Sequence, residues 1–405
     1  MLLELGDYYV SDFVKTQSVD RKKYSLNLYA DQEIGAVRLK EQPPHDCMWG
    51  QYWYRSGINI SMQRELLSIV DEITNRIKFE DNDVWLDIAC NDGTLLKAVP
   101  NNLIKIGIDP ADNSYVAESS KVATVVQDYF SADAYFTKGG MTKQARVITC
   151  IAMFYDLDTP SHFIKDLYKV LDINGLLVLQ MSYTPLMIKQ LAFNNICHEH
   201  VYYYDLTSIS KLFEKEGFYV VDCSLNDANG GSFRISFRKT ESNIDDFGSA
   251  PLRDVCNIRV ESILEYEKKF PLTSTQLWQD FNDRLYKLKH EVVNFIREAK
   301  SQGKTIWGYG ASTKGNTLLQ YFGLTSYDID AIAERSSFKF GLLTVGTNIP
   351  IKSEEEMREA KPDYLLVLPW HFISEFQERE SEYLENGGAF IVPCPDFRII
   401  SKLHK

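Results

Sequence analysis

Between residues 61 and 80 the apolar side chains Leu66, Leu67, Ile69, Val70, Ile73 and Ile77 recur at helical spacing and predict an amphipathic helix. The pattern then changes to short apolar runs that end in acids or small residues. Asp83 to Leu96 reads as a strand closing on Asp87, a small-residue turn with Gly93, and a helix start. Leu103 to Asp109 is a second run, its carboxylate 22 positions after Asp87, and Val125 to Phe130 is a third, containing Asp128. Gly175 to Ser182 and Phe233 to Phe237 predict further strands, the latter entered through a tight turn, Asn229 to Ser232. Glu241 to Asp246 reads as a polar linker, and roughly Pro251 to Lys300 as a charged, bracing helix pair. Thr305 to Leu319 repeats the strand, turn and helix pattern, and Ile329 to Glu334 is a strand ending on an acid. The prediction is an α/β chain with two Rossmann-like doubly wound units, at 61–240 and 241–405, behind a tyrosine-rich, irregular region at 1–60.

The turn after the first strand and the acid after the second have the layout of a nucleoside pocket. Backbone can approach a ligand at the turn, and the carboxylate of Asp109 can accept hydrogen bonds from two ribose hydroxyls. With the third strand and acid, this resembles the class I S-adenosylmethionine-dependent methyltransferases. Any other doubly wound domain, including a dinucleotide binder or oxidoreductase, is the alternative. The second glycine-punctuated turn, at Gly308 to Gly315, opens a helix whose free amides favour an anion, with Ser312, Thr313 and Lys314 as added donors. Glu334 echoes the acid of a Rossmann unit. This unit either holds a nucleotide or is a relic used for packing.

Asn195 to Tyr204 packs two imidazoles, a carboxylate, a thiol and three phenols into one segment beyond a predicted strand's carboxyl end, where open α/β sheets place ligands. Such a cluster can move protons. The plainer reading is a polar, aromatic segment packed on a neighbour.

Composition narrows the classes. With 44% apolar and 25% charged residues in 405, the chain reads as globular, with two or three domains. A net charge of −12 argues against a nucleic-acid partner. No apolar run approaches the ~18 residues of a membrane span, and the first residues lack a signal-peptide pattern, so a cytoplasmic location is expected. The seven cysteines, at 47, 90, 150, 197, 223, 256 and 394, form no C-x-x-C pair. That spacing predicts free thiols and no zinc or other metal.

Ordered motifs then point to one family. Tyr-Trp-Tyr-Arg-Ser-Gly at 52–57, Asn-Asp-Gly-Thr-Leu-Leu at 91–96, His-Glu-His at 198–200, Gly-Gly-Ser-Phe-Arg at 230–234 and Gly-Tyr-Gly-Ala-Ser-Thr-Lys-Gly-Asn at 308–316 resemble the three-domain nucleotide-sugar C-methyltransferases. Val345 to Ile351 and Leu368 to His371 match as well, so the likeness spans nearly the whole chain. The resemblance implies methylation of a nucleotide-linked keto-deoxysugar with S-adenosylmethionine, by deprotonation beside the ketone, at carbon 3 next to a 4-ketone. A sugar O-methyltransferase is the competing activity. Monomers or weak dimers are expected.

By that resemblance His200 is the base, Glu199 orients it or bonds the sugar, His198 stands beside them, and Tyr54 or Tyr52 holds the substrate. Cofactor contacts fall to Asp87, Ala89, Asn91, Asp92, Gly93, Asp109, Pro110, Asp128, Tyr129 and Ala152. Substrate contacts fall to Tyr52, Tyr54, Cys197, Asn229, Gly310, Ser312, Thr313, Lys314 and Glu334. Four departures stand out. Ala89 replaces a glycine of the first turn. Asp31 and Ile34 stand where the family's N-terminal zinc module has cysteines, which predicts a metal-free N-terminal region packed on the middle domain. Cys197 replaces a frequent tyrosine, and Asp156 a frequent histidine.

Overall fold

The computed structural model describes residues 1–16, 21–44, 48 and 53–402. The N-terminal region is more regular than its composition suggested. It forms strands β1 (Leu3–Tyr9), β2 (Phe13–Val14), β3 (Lys23–Asp31) and β4 (Ala36–Leu39). β1, β3 and β4 pair antiparallel, and their alternate apolar residues turn inward. At the turn from β3 to β4, the two residues that stand where the resemblance places cysteines have other contacts. The Asp31 carboxylate accepts the Glu33 N–H at 3.0 Å, and Ile34 is buried in the middle domain's core. Leu3, Leu5, Phe13, Leu26, Leu28, Val37 and Leu39 join the core of the C-terminal unit. These seven side chains, at roughly 1.5–3 kcal/mol each, operate on the scale of a structural zinc, about 10–16 kcal/mol. The expected seat on the middle domain is thus corrected: the region packs chiefly on the C-terminal unit, and β2 pairs with a strand of it.

Helix α1 (Ile60–Thr74) leads into the middle unit: β5 (Val84–Ile88), α2 (Thr94–Ala98), β6 (Ile104–Ile108), α3 (Asn113–Ser119), β7 (Thr124–Val126), β8 (Ala145–Ile151), α4 (Pro160–Val170), β9 (Leu171–Ser182), α5 (Thr184–Lys189), β10 (Tyr202–Tyr203), α6 (Leu206–Glu214), β11 (Phe218–Asn226) and β12 (Ser232–Lys239). The sheet order is β11-β12-β9-β8-β5-β6-β7, with β12 antiparallel to its neighbours and the other strands parallel to one another. Helices cover both faces, so β5 and β9 are almost continuously apolar. β10 leaves this unit and becomes the fourth strand of the N-terminal sheet, beside β4.

The C-terminal part contains α7 (Ala250–Glu267), α8 (Thr275–Ser301), β13 (Ile306–Tyr309), α9 (Thr313–Phe322), β14 (Ala331–Glu334), β15 (Leu343–Thr344), β16 (Ile351–Ser353), α10 (Glu354–Ala360), β17 (Tyr364–Val367), α11 (Ile373–Arg379), α12 (Ser381–Glu385), β18 (Ala389–Val392) and β19 (Arg398–Ile400). Its sheet runs β16-β14-β13-β17-β18-β19, parallel except for β19. β15 is the partner of β2. The two α/β units expected from the sequence are present, but the division at 241 is not where the cores divide. α7 packs on the middle sheet, with Arg259 paired to Asp222 of β11 at 2.7 Å and Cys256 and Ile263 in that unit's core. α8 instead buries Trp278, Leu285, Val292 and Ile296 in the C-terminal core. The break therefore falls between Glu267 and Thr275. Among the described residues, no helix is long and apolar enough to cross a membrane.

Candidate active site

Each sheet reverses its winding beside its first strand, between β5 and β8 in one unit and between β13 and β17 in the other. Crevices at such switch points take ligands. Here both crevices open into one cavity of about 590 Å³.

On the middle-domain side, the loop after β5 places Ala89 at φ 57°, Asn91 at φ 52° and Gly93 at φ 77°. Two non-glycine residues in the left-handed region are unfavourable and need support. Asp109, ending β6, supplies part of it, accepting the N–H groups of Asn91 at 2.7 Å and Ala111 at 2.8 Å. Burial raises its pKa. Asp87 accepts the Thr149 hydroxyl at 2.7 Å and is pushed up to about 7, chiefly by burial. The Asn91 amide donates to the Tyr54 carbonyl at 3.1 Å and accepts the Ser56 N–H at 3.0 Å. Pro110, Tyr129, Ala152 and the Tyr54 side chain also line the cavity. Tyr52 lies outside the described residues.

On the other side, Gly310 turns the chain at φ 82°, and a Cβ there would stand 2.7 Å from Cγ of Pro369. Only glycine fits such a turn without strain. Ser312 caps α9, its hydroxyl accepting the Gly315 N–H at 3.0 Å. Glu334 repeats the arrangement of Asp109: one oxygen accepts the Arg335 and Ser336 N–H groups at 2.8 and 2.9 Å, and the other lies 3.6 Å from Lys339 Nζ. Asn229, Thr313 and Lys314 complete this wall. Sequence reasoning missed Arg335, Lys339, His371 and Arg379, which line it too. The motif Leu368 to His371 was visible, and it carried no chemistry until the fold brought it beside Gly310.

Between the two sides stand Asp156, Glu199, His200, Lys314 and His371. His200 packs on the Tyr155 ring with centroids 4.2 Å apart. Burial, then the Lys314 charge, lower its pKa to about 3, while a hydrogen bond to the Asn195 backbone opposes the shift. His371 is lowered to about 3 by the same two causes. Burial raises Glu199 to about 7 against the pull of Lys314, and raises Asp156 strongly. His200 is thus a neutral imidazole across the physiological range, with one nitrogen committed to Asn195 and the other left to accept a proton.

Five sequence assignments need correction, because those side chains do not reach the cavity wall. His198 instead bonds the Tyr24 carbonyl through Nε2 at 3.0 Å and pins the segment to the N-terminal sheet. Cys197 is buried behind His200, its carbonyl accepting that residue's N–H at 3.2 Å. Asp92 closes the start of α2 through Thr94 and holds the Gly57 N–H at 2.8 Å. Gly93 is a packing glycine, since a Cβ would meet Cα of Ser119 at 2.8 Å. Asp128 lies beyond the short β7, paired with Lys138 at the surface.

Residues 227–395 match the family described as the C-methyltransferase C-terminal domain, and residues 59–222 match a methyltransferase domain. The chain is 30% identical over 384 residues to the C-methyltransferase NovU of Streptomyces niveus, covering 93% of this chain and 88% of the relative. The chain belongs to the C-methyltransferases. Similar solved structures include an S-adenosylmethionine-dependent methyltransferase of Clostridium acetobutylicum (12% identity, 45% of this chain and 93% of that one, TM-score 0.35). Magnesium protoporphyrin IX methyltransferase of Synechocystis PCC 6803 with bound S-adenosylhomocysteine is another (14%, 45% and 88%, TM-score 0.34).

The methyl donor of this C-methyltransferase is S-adenosylmethionine, and the first crevice suits it. Asp109 lines the cavity beside the loop that it holds through the Asn91 and Ala111 N–H groups. Asp109→Ala should weaken S-adenosylmethionine binding by roughly 1–3 kcal/mol, measured by calorimetric titration; unchanged affinity would place the pocket elsewhere. Among the described residues, no cluster of His, Cys, Asp or Glu is placed to hold a metal ion.

Proposed function

We propose that the enzyme methylates a carbon beside the ketone of a nucleotide-linked keto-deoxysugar. The observation that carries this reading is the single cavity: the cofactor crevice and a nucleotide-type turn face each other, with proton-handling side chains between them. Bound S-adenosylmethionine supplies an electrophilic methyl group, so the protein must make a nucleophilic carbon and hold it in line.

A sugar carbon gains that character when a proton leaves it next to a carbonyl. The free nitrogen of His200 takes the proton, the C–H pair becomes the enolate double bond, and the carbonyl π pair moves onto oxygen. Glu199, ionised above pH about 7, favours the imidazolium that forms. The nucleotide diphosphate lies against Gly310 to Thr313 and the start of α9, and Glu334 accepts the ribose hydroxyls as Asp109 does on the other side. Tyr54 closes the wall between the two ligands.

The test uses nucleotide 4-keto-6-deoxysugars in heavy water with S-adenosylhomocysteine in the cofactor site. Enzyme-dependent deuterium incorporation beside the ketone, read by mass spectrometry, is the expected result. Methyl transfer to a sugar hydroxyl without any such exchange would replace the proposal with O-methylation.

A further inference from the structure

Lys314 is the second residue of α9, beside the turn expected to hold phosphate. Its surroundings are those of the reaction centre instead. The charged and titratable groups that feel its ammonium are Asp156, Cys197, Glu199, His200 and His371, contributed by the middle domain and by the segment after β17. Arg335 and Lys339 line the same cavity beside Glu334, and Lys339 lies 3.6 Å from its carboxylate. Among the described residues, the half-buried Lys314 side chain in the cavity wall has no hydrogen-bond or ion-pair partner. The Oδ1 atom of Asp156 is also buried without a hydrogen-bond partner. A half-buried ammonium without a partner is unfavourable, and so is an orphaned, buried carboxyl oxygen. Polar neighbours that do not close on each other leave room for a ligand between them.

α9 is also fixed from outside, which holds this ammonium in place. Asn316 donates to the Asp12 carbonyl at 2.9 Å, Gln320 exchanges hydrogen bonds with the Tyr9 backbone at 2.9 and 3.1 Å, and the Ser11 hydroxyl donates to the Thr313 carbonyl at 2.8 Å. The N-terminal strands therefore clamp the turn that carries Lys314. A cation preset where negative charge appears stabilises the transition state without having to reorganise.

We infer that Lys314 is a catalytic residue that contacts the sugar ketone and stabilises the enolate oxygen formed on deprotonation, rather than a ligand of the substrate's phosphates. The inference rests on the proposed reaction. As the proton passes to His200, the electron pair displaced from the carbonyl collects on the oxygen facing the ammonium. The ammonium keeps its three protons and returns to its resting state when the methylated ketone forms. Asp156 faces the same space and can accept a hydroxyl proton of the sugar next to the ketone.

The test compares wild type with Lys314→Met and Lys314→Arg, using whichever nucleotide 4-keto-6-deoxysugar the wild type exchanges. Thymidine diphosphate and S-adenosylhomocysteine serve as binding probes. Lys314→Met should bind both probes as the wild type does, and lose about 10²–10³-fold in kcat and in deuterium exchange, the usual effect of deleting one oxyanion donor. Lys314→Arg should retain part of the rate. The pH limb assigned to Glu199 should move upward in Lys314→Met, which reports the ammonium beside Glu199, while the loss of kcat with both probes still bound is what separates a catalytic lysine from a structural one. Weakened thymidine diphosphate binding with kcat retained would make Lys314 a phosphate ligand and overturn the inference. Undiminished kcat and exchange would make it a bystander. Absence of exchange in the wild type itself would instead overturn the reaction proposed above. If Lys314→Met fails to bind S-adenosylhomocysteine, Lys314→Gln takes its place under the same criteria.

Discussion

Replacing His200 with alanine should lower deuterium exchange into the keto-sugar by about 10²–10⁴-fold, the range supplied by a positioned general base. The cofactor should still bind, because the loop after β5 is held by Asp109 and not by His200. Exchange measured with S-adenosylhomocysteine present isolates proton transfer from methyl transfer, so the loss reports on the base alone. Full exchange in His200→Ala would remove this histidine from the role and leave Glu199, the other proton acceptor in the same wall, to fill it.

The pH dependence should show a second large effect. Burial and Lys314 hold His200 near 3, so that histidine stays neutral throughout the working range and produces no limb there. Glu199 has its pKa raised to about 7, with burial the first cause. Its carboxylate form helps the imidazolium form, so kcat/KM should rise with pH through about 7 and level off above it. Glu199→Gln should flatten that rise and cost on the order of 10²-fold at pH 8. A limb that survives unchanged in Glu199→Gln would have to come from another group, with Asp87, also near 7, the first to examine.

Much of this site could be read from the chain, because apolar runs ending in an acid, followed by small residues, report both a strand and the crevice beyond it. Asp109 and Glu334 were found that way, and both end parallel strands at the cavity. Other assignments failed because the signal named a segment and not a direction. His198, Glu199 and His200 are adjacent, yet the chain turns here, with the His200 N–H bonding back to the Cys197 carbonyl, so the first side chain bonds Tyr24 while the other two line the cavity. Asp128 looked like a third strand's acid, but β7 stops at Val126 and leaves it in the solvent. Residues 1–60 hold three strands that pair with one another, but the fourth strand of their sheet, β10, comes from far along the chain, a pairing local pattern cannot show. Arg335, His371 and Arg379 were missed for a related reason: each lies in or just after an element of the C-terminal unit and gains meaning only opposite another.

The loan of Tyr202 and Tyr203 to the N-terminal sheet limits how this enzyme can be divided. The proposed base stands two residues before a strand whose hydrogen-bonding neighbour is β4, and the backbone of the intervening Val201 is held from both sides, by Leu39 at 2.9 Å and by Tyr155 at 3.0 Å. A fragment trimmed to the cofactor-binding sheet would keep every group that grips the methyl donor and still lose the register that aims the imidazole. Chimeras built to change substrate preference would therefore work only if the first 40 residues and the 195–204 segment travel together, as two halves of one part.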